Sequence, residues 1–138
     1  MAHSASLVAV AMLKKAMDQK IYVTQHQLQR MLYFAHGCHL VRHNIPLIEE
    51  QFEAWKLGPV VPQLFRIFIF YGNRKIYNTG LLQFAQNGNP VDSLGPDADC
   101  VIDDTLKVVG TLAEADWTGW IDSIVPKWAK STDTRGIN

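Results

Sequence analysis

Apolar positions recur with a helical period along residues 5–18: Leu7, Val10, Leu13 and Met17 fall on one side, with Lys14, Lys15 and Asp18 elsewhere. That spacing predicts a first helix. A short apolar connector follows, Ile21-Tyr22-Val23. Thr24 and Gln27 then have the spacing of a capping box, in which the hydroxyl accepts an orphan backbone N–H and the glutamine reaches back. A second, longer helix is predicted from there to about Arg42. Its main stripe is Leu28, Met31, Leu32, Ala35, Cys38 and His39, and Tyr33, Phe34, Leu40 and Val41 widen the stripe until most sides are apolar. A helix of that kind is central, touched by several neighbours. Asn44 is the predicted stop, and Pro46 prevents continuation.

Residues 52–57 read as short and extended, with β-propensity from Phe52 and Trp55. Pro62 suits the first turn of a third helix, because its missing N–H would be unpaired there anyway. That helix is predicted to end at Tyr71-Gly72. Residues 73–97 are rich in Gly, Asn and Pro, with a turn signal at Asn87-Gly88-Asn89-Pro90. Ile76-Tyr77 and residues 81–84 fit either short strands or a helical turn. Asp97 or Asp99 is placed to cap a fourth helix through Val109, carrying Val101, Ile102, Leu106 and Val109. A last helical region over residues 112–130 contains Trp117, Trp120 and Trp128, and Pro126 should kink or split it. The tail after Ser131 should fray. The expected fold is mainly α with a small β-element: a compact single domain over residues 1–138, with a central apolar helix and a short β-hairpin or extended segment.

Composition agrees with that picture. At 138 residues, 48% of them apolar, the chain is long enough for a real core and too apolar for wholesale disorder. Two cysteines, Cys38 and Cys100, cannot make the disulfide framework of a small secreted domain, so reduced thiols and a cytoplasmic location are expected. No signal sequence opens the chain, and its longest apolar run, residues 67–71, is far too short to span a bilayer. Charge is balanced overall but segregated. Residues 1–80 carry nine Lys/Arg against four Asp/Glu, and residues 81–138 carry four against nine. The two halves either attract one another or face different partners. Apart from Lys14-Lys15 and Arg74-Lys75 the basic residues are scattered singly, too sparse for a nucleic-acid footprint.

Candidate chemistry is thin. His36, His39 and His43 share one helical face and define a metal-dependent hydrolase as the alternative of least weight. No third defined ligand or activating Glu accompanies them, so His39 is expected in the core with one nitrogen hydrogen-bonded and His43 solvated at the helix end. Cys38 has no histidine placed to activate it and reads as an inert buried thiol. Asp97, Asp99, Asp103 and Asp104 lack the glycine and terminal Glu of a calcium loop. Gly58-Pro59 lacks the glycines and Lys-Ser/Thr pair of a phosphate loop. No catalytic residue, cofactor or metal is therefore expected.

The sharp feature is residues 64–71, LFRIFIFY. Leu64, Phe65 and Phe68 share a helical face with Val61 alongside, so Ile67 and Phe70, or Ile69, should protrude. Either a C-terminal helix covers them or they form a docking or self-association patch. Burying one such side chain is worth about 1.5–3 kcal/mol, so two or three left exposed give substantial drive to associate. The expected partner-binding residues are Trp55, Ile67, Ile69 and Phe70 as apolar anchors, with Lys56, Arg66 and Arg74 steering an acidic protein.

The string LQRMLYFAHGCHL, followed by FEAWKLGPVVPQLF and Tyr71-Gly72, resembles the Panacea, or SocA-like antitoxin, domain. The resemblance covers residues 5–72 well. Leu28, Leu32, Tyr33 and Phe34 match the family's helix signature, and Trp55, Gly58, Pro59 and Val60 match its second motif. The resemblance implies a mainly helical fold and neutralisation of a toxin, by direct binding or as an adaptor delivering it to a protease. It also suggests a phage-associated origin, which makes a phage or prophage protein redirecting a host protein the alternative. A homodimer is a further possible assembly. The C-terminal part departs from the family: Asp116-Trp117-Thr118-Gly119 lacks the usual Thr-His pair, and Pro126-Lys127-Trp128 is only faintly like its Pro-Trp.

Overall fold

The computed structural model describes residues 2–56, 58–77 and 94–111. Among them are four α-helices and one two-stranded antiparallel sheet, so the protein is mainly α with a small β-element. Helix α1, Ala5–Asp18, begins where the Ser4 hydroxyl accepts the Leu7 N–H at 3.2 Å. Its buried side is wider than the predicted stripe. Val8, Ala9, Val10, Met12, Leu13 and Ala16 are buried, whereas Leu7 and Met17 are half-buried. The small alanines let neighbours approach on more than one side, which a stripe of large residues does not reveal.

Helix α2, Gln25–His43, has the predicted capping box. Thr24 Oγ1 accepts the Gln27 N–H at 3.3 Å, and Gln27 Oε1 accepts the Thr24 N–H at 2.9 Å. Asn44 ends it in the left-handed conformation at φ 57, donating its N–H to the Leu40 carbonyl. Leu28, Met31, Leu32, Ala35 and His39 are buried in the shared core, and α2 packs against α1, the sheet and the last helix. Leu40 and Val41 stand outward, so the apolar circumference is not buried all round.

Strands β1, Glu53–Trp55, and β2, Gly58–Val60, pair as Glu53 with Val60, Ala54 with Pro59 and Trp55 with Gly58. Gly58 sits at φ +127, a conformation L side chains avoid. Helix α3, Pro62–Ile67, opens with Pro62 in its first turn. It stops short of the predicted Tyr71-Gly72. Phe68 leaves helical geometry, and a 3₁₀ turn over Ile69–Tyr71 carries the chain to Gly72 at φ +55. Phe68 itself is buried beneath that change of course. Downstream, Thr24 and Lys75 form an isolated antiparallel bridge, and the Ile76 N–H donates to the Val23 carbonyl at 2.8 Å. Residues 76–77 thus adopt the extended option, while residues 81–84 lie outside the described residues.

Helix α4, Pro96–Thr111, begins with Pro96 after Gly95, whose carbonyl accepts the Asp99 N–H at 2.9 Å. Asp97 and Asp99 occupy its first turn and do not cap it. Asp99 Oδ1 instead accepts the N–H of Leu94 at 3.2 Å. Ala98, Val101, Ile102, Thr105, Leu106 and Val109 face inward against α2 and α1. The expected helical region over residues 112–130 lies outside the described residues. The N-terminus is strapped to the loop after α2: His3 N–H donates to the Leu47 carbonyl, Glu49 N–H to the His3 carbonyl and Ala5 N–H to Glu50 Oε1, each at 2.8 Å. Among the described residues no helix is long and apolar enough to cross a membrane.

Candidate docking surface

The three α2 histidines do not converge. His39 is buried, and its Nδ1 lies 2.6 Å from the Ile45 carbonyl, to which it donates. His36 Nδ1 does the opposite and accepts the Ile48 N–H at 3.2 Å, with its ring against Phe52 at 5.2 Å. His43 is half-buried, with Nδ1 at 3.8 Å from Asp97 Oδ2. His36 and His39 thus serve the loop after the helix, and His43 faces the first turn of α4. Burial, helped by His39, lowers the His36 pKa, and burial with Arg30 lowers that of His26. Among the described residues no group of three His, Cys, Asp or Glu could hold a metal. Cys38 is half-buried, and burial pushes its thiol up despite the opposing Arg42 charge, so it has little thiolate character.

The α3 region sorts its apolar residues sharply. Val61, Leu64 and Phe68 are in the core, and Ile67 and Tyr71 are half-buried against it. Phe65 packs edge-on to Trp55 at 4.9 Å. Ile69 and Phe70 point outward, 54% and 81% exposed. The 3₁₀ turn produces this separation, because it rotates two large apolar residues away from the face that Phe68 buries.

Of the other expected anchors, Trp55 is only 7% exposed, and its Nε1 donates to Glu53 Oε1 at 2.9 Å. It braces the hairpin against α3 and leaves little of its ring on the surface. Lys56 and Arg66 are exposed. Arg74 is exposed too, but it is engaged. Its Nε donates to the Tyr71 carbonyl at 3.1 Å, its Nη2 donates to the Phe70 carbonyl, and its guanidinium lies 5.8 Å from the Tyr71 ring centre. Arg74 therefore clamps the turn that displays Phe70. Of the motif residues, Leu28, Leu32, Pro59 and Val60 are buried, Gly58 opens β2 at positive φ, and Tyr33 and Phe34 are half-buried.

Two surface features escaped sequence reasoning. Tyr22 and Tyr77 pair at 5.3 Å between ring centres, because the Thr24–Lys75 bridge brings their segments together. An open, mainly apolar groove of about 420 Å³ runs along the outer side of α2, lined by Tyr33, Phe34, Gly37, Cys38, Leu40 and Val41. The exposed Val41 belongs to a stripe that sequence pattern alone assigns to the core.

A helical scaffold with a Trp-braced hairpin and an outward aromatic turn is the class of domain the fold and surface define. The chain belongs to the family described as Antitoxin SocA-like, Panacea domain, whose pattern matches residues 28–113. It is similar to Antitoxin SocA of Caulobacter vibrioides (strain NA1000 / CB15N), 43% identical over 77 residues, which cover 56% of this chain and 41% of that protein. The match thus spans about two fifths of the length of that curated relative. No solved structure matches the chain.

Proposed function

We propose that the protein neutralises a toxin or comparable effector by direct, non-enzymatic binding, using the Ile69–Phe70 turn as its apolar anchor. Membership of an antitoxin family supports the role. The exposure of Ile69 and Phe70, 54% and 81%, on a turn fixed from beneath by buried Phe68 carries the choice of surface. Large apolar residues held outward on a rigid turn lose little entropy on docking, which favours them as binding anchors. Ile67, half-buried, precedes the turn, and the exposed Arg66 beside it in the chain adds positive charge.

The test is co-expression with the product of the reading frame adjacent to the gene. Ile69→Asp should abolish neutralisation and complex formation while circular dichroism and the melting temperature stay unchanged. Unfolding of that variant would show the residue to be core and end this assignment. A fall in the level of the captured protein, rather than complex formation alone, would mark the protease-adaptor form of the same activity.

A further inference from the structure

We infer that the docking surface continues sideways from the Ile69–Phe70 turn onto the Tyr22–Tyr77 pair, and that it receives an acidic protein segment carrying apolar side chains. The inference rests on the binding role proposed above and adds a second contact element and the chemistry of the partner.

Backbone pairing places the tyrosines. The Thr24–Lys75 bridge and the Ile76 N–H to Val23 carbonyl bond hold two extended segments side by side. Side chains alternate along extended backbone, so burying Val23 and Ile76, 1% and 0% exposed, turns Tyr22 and Tyr77 outward. They are 38% and 64% exposed, with rings tilted at 42° against one another. Arg74 joins this pair to the turn. It lies in the chain between Phe70 and Tyr77, and its guanidinium is folded back onto the Phe70 and Tyr71 carbonyls. In chain order the exposed large apolar residues here are Ile69, Phe70 and Tyr77, and Tyr22 is ring-paired to the last of them.

Charge selects the partner. Between Asp18 and Glu49, and again between Glu53 and Asp92, the chain has no acidic residue. Every segment that builds this surface falls in those two stretches, whose basic residues include Lys20, Arg66 and Arg74. The segments that build the surface thus bring cations and no carboxylate of their own, and an acidic segment gains from them in both approach and pairing. A second copy docking through the same face would set like charges together. A nucleic-acid strand would find the cations sparse, and the two rings partly cover each other rather than standing open for bases.

Fluorescence anisotropy on the full chain can decide among these. The probes are a labelled amphipathic peptide of glutamate, leucine and phenylalanine, its lysine-for-glutamate counterpart, and a thymidine homopolymer strand. The expected result is salt-sensitive binding of the acidic peptide alone, weakened about tenfold by Phe70→Ser and by either Tyr22→Ser or Tyr77→Ser, with circular dichroism unchanged. Loss with Phe70→Ser but not with either tyrosine variant would overturn the extended surface and leave the turn as anchor. Equal or tighter binding of the basic peptide or the strand would overturn the acidic partner. No binding of the acidic peptide overturns the inference as well, while the co-expression test of Ile69→Asp still judges the binding role separately.

Discussion

Gly58 holds the hairpin bend at φ +127, and a Cβ placed there would meet Arg30 Nε at 3.5 Å, an ordinary contact. The cost of a side chain at this position is therefore backbone strain, not collision. Gly58→Ala should lose about 1–3 kcal/mol, seen as a lower urea midpoint with an unchanged m-value. His36 sets a different constraint. Its Nδ1 must stay unprotonated to accept the Ile48 N–H, and burial lowers its pKa below the ordinary 6.5. The folded state binds that proton less readily than the unfolded chain. The His36 contribution is thus fully present above the unfolded value and is lost as pH falls through the lowered folded one. Thermal stability should decline from pH 7 toward pH 5. His36→Asn, which keeps an acceptor but does not titrate, should flatten the decline, with His26 supplying the remaining slope. Gly58 was legible as part of the second motif that the chain shares with its family. The role of His36 was not, since its partner reaches it only through the strap between His3 and residues 47–49.

At the scale of elements, what lies in local chemistry was legible, and what depends on distant burial was not. The second helix starts and stops as its sequence predicts because Thr24, Gln27 and Asn44 act on backbone groups within a turn of themselves. Thr24→Ala removes the cap from the Gln27 N–H and should cost about 0.5–2 kcal/mol in chemical unfolding, with Thr24→Ser restoring most of it. A loss outside that range in the alanine variant would mean that the Thr24–Lys75 pairing, and not the cap, dominates the site. The α3 region shows the converse. Its pattern reads as one helix to Tyr71, yet Phe68 is drawn into the core and the chain tightens to a 3₁₀ turn. That change decides which aromatic residues face out. The sequence pattern does anticipate the exposure of Phe70. It did not reveal the burial of Trp55, because nothing local shows Phe65 and Glu53 packing against the indole.

Across the whole molecule, the segregated charge has a structural counterpart. Lys15 pairs with Asp103 and Arg42 with Asp104, both at 2.8 Å, joining α1 and α2 to the acidic α4. These pairs are too open to solvent to hold the halves together. The side chains of Lys15 and Asp103 are 29% and 51% exposed, and pairs of that kind are worth about 0–1 kcal/mol. The join is instead carried by the buried faces of α2 and α4, where Ile102 is fully enclosed. Two substitutions separate the effects. Asp103→Asn should lower unfolding stability by less than about 1 kcal/mol, and the difference should fade at high ionic strength, where exposed charges are screened. Ile102→Ala should cost about 2–5 kcal/mol at any salt concentration, because it removes buried area and leaves a cavity that the rigid helices fill only in part. Comparable, salt-sensitive losses from both would mean that charge pairing assembles the domain.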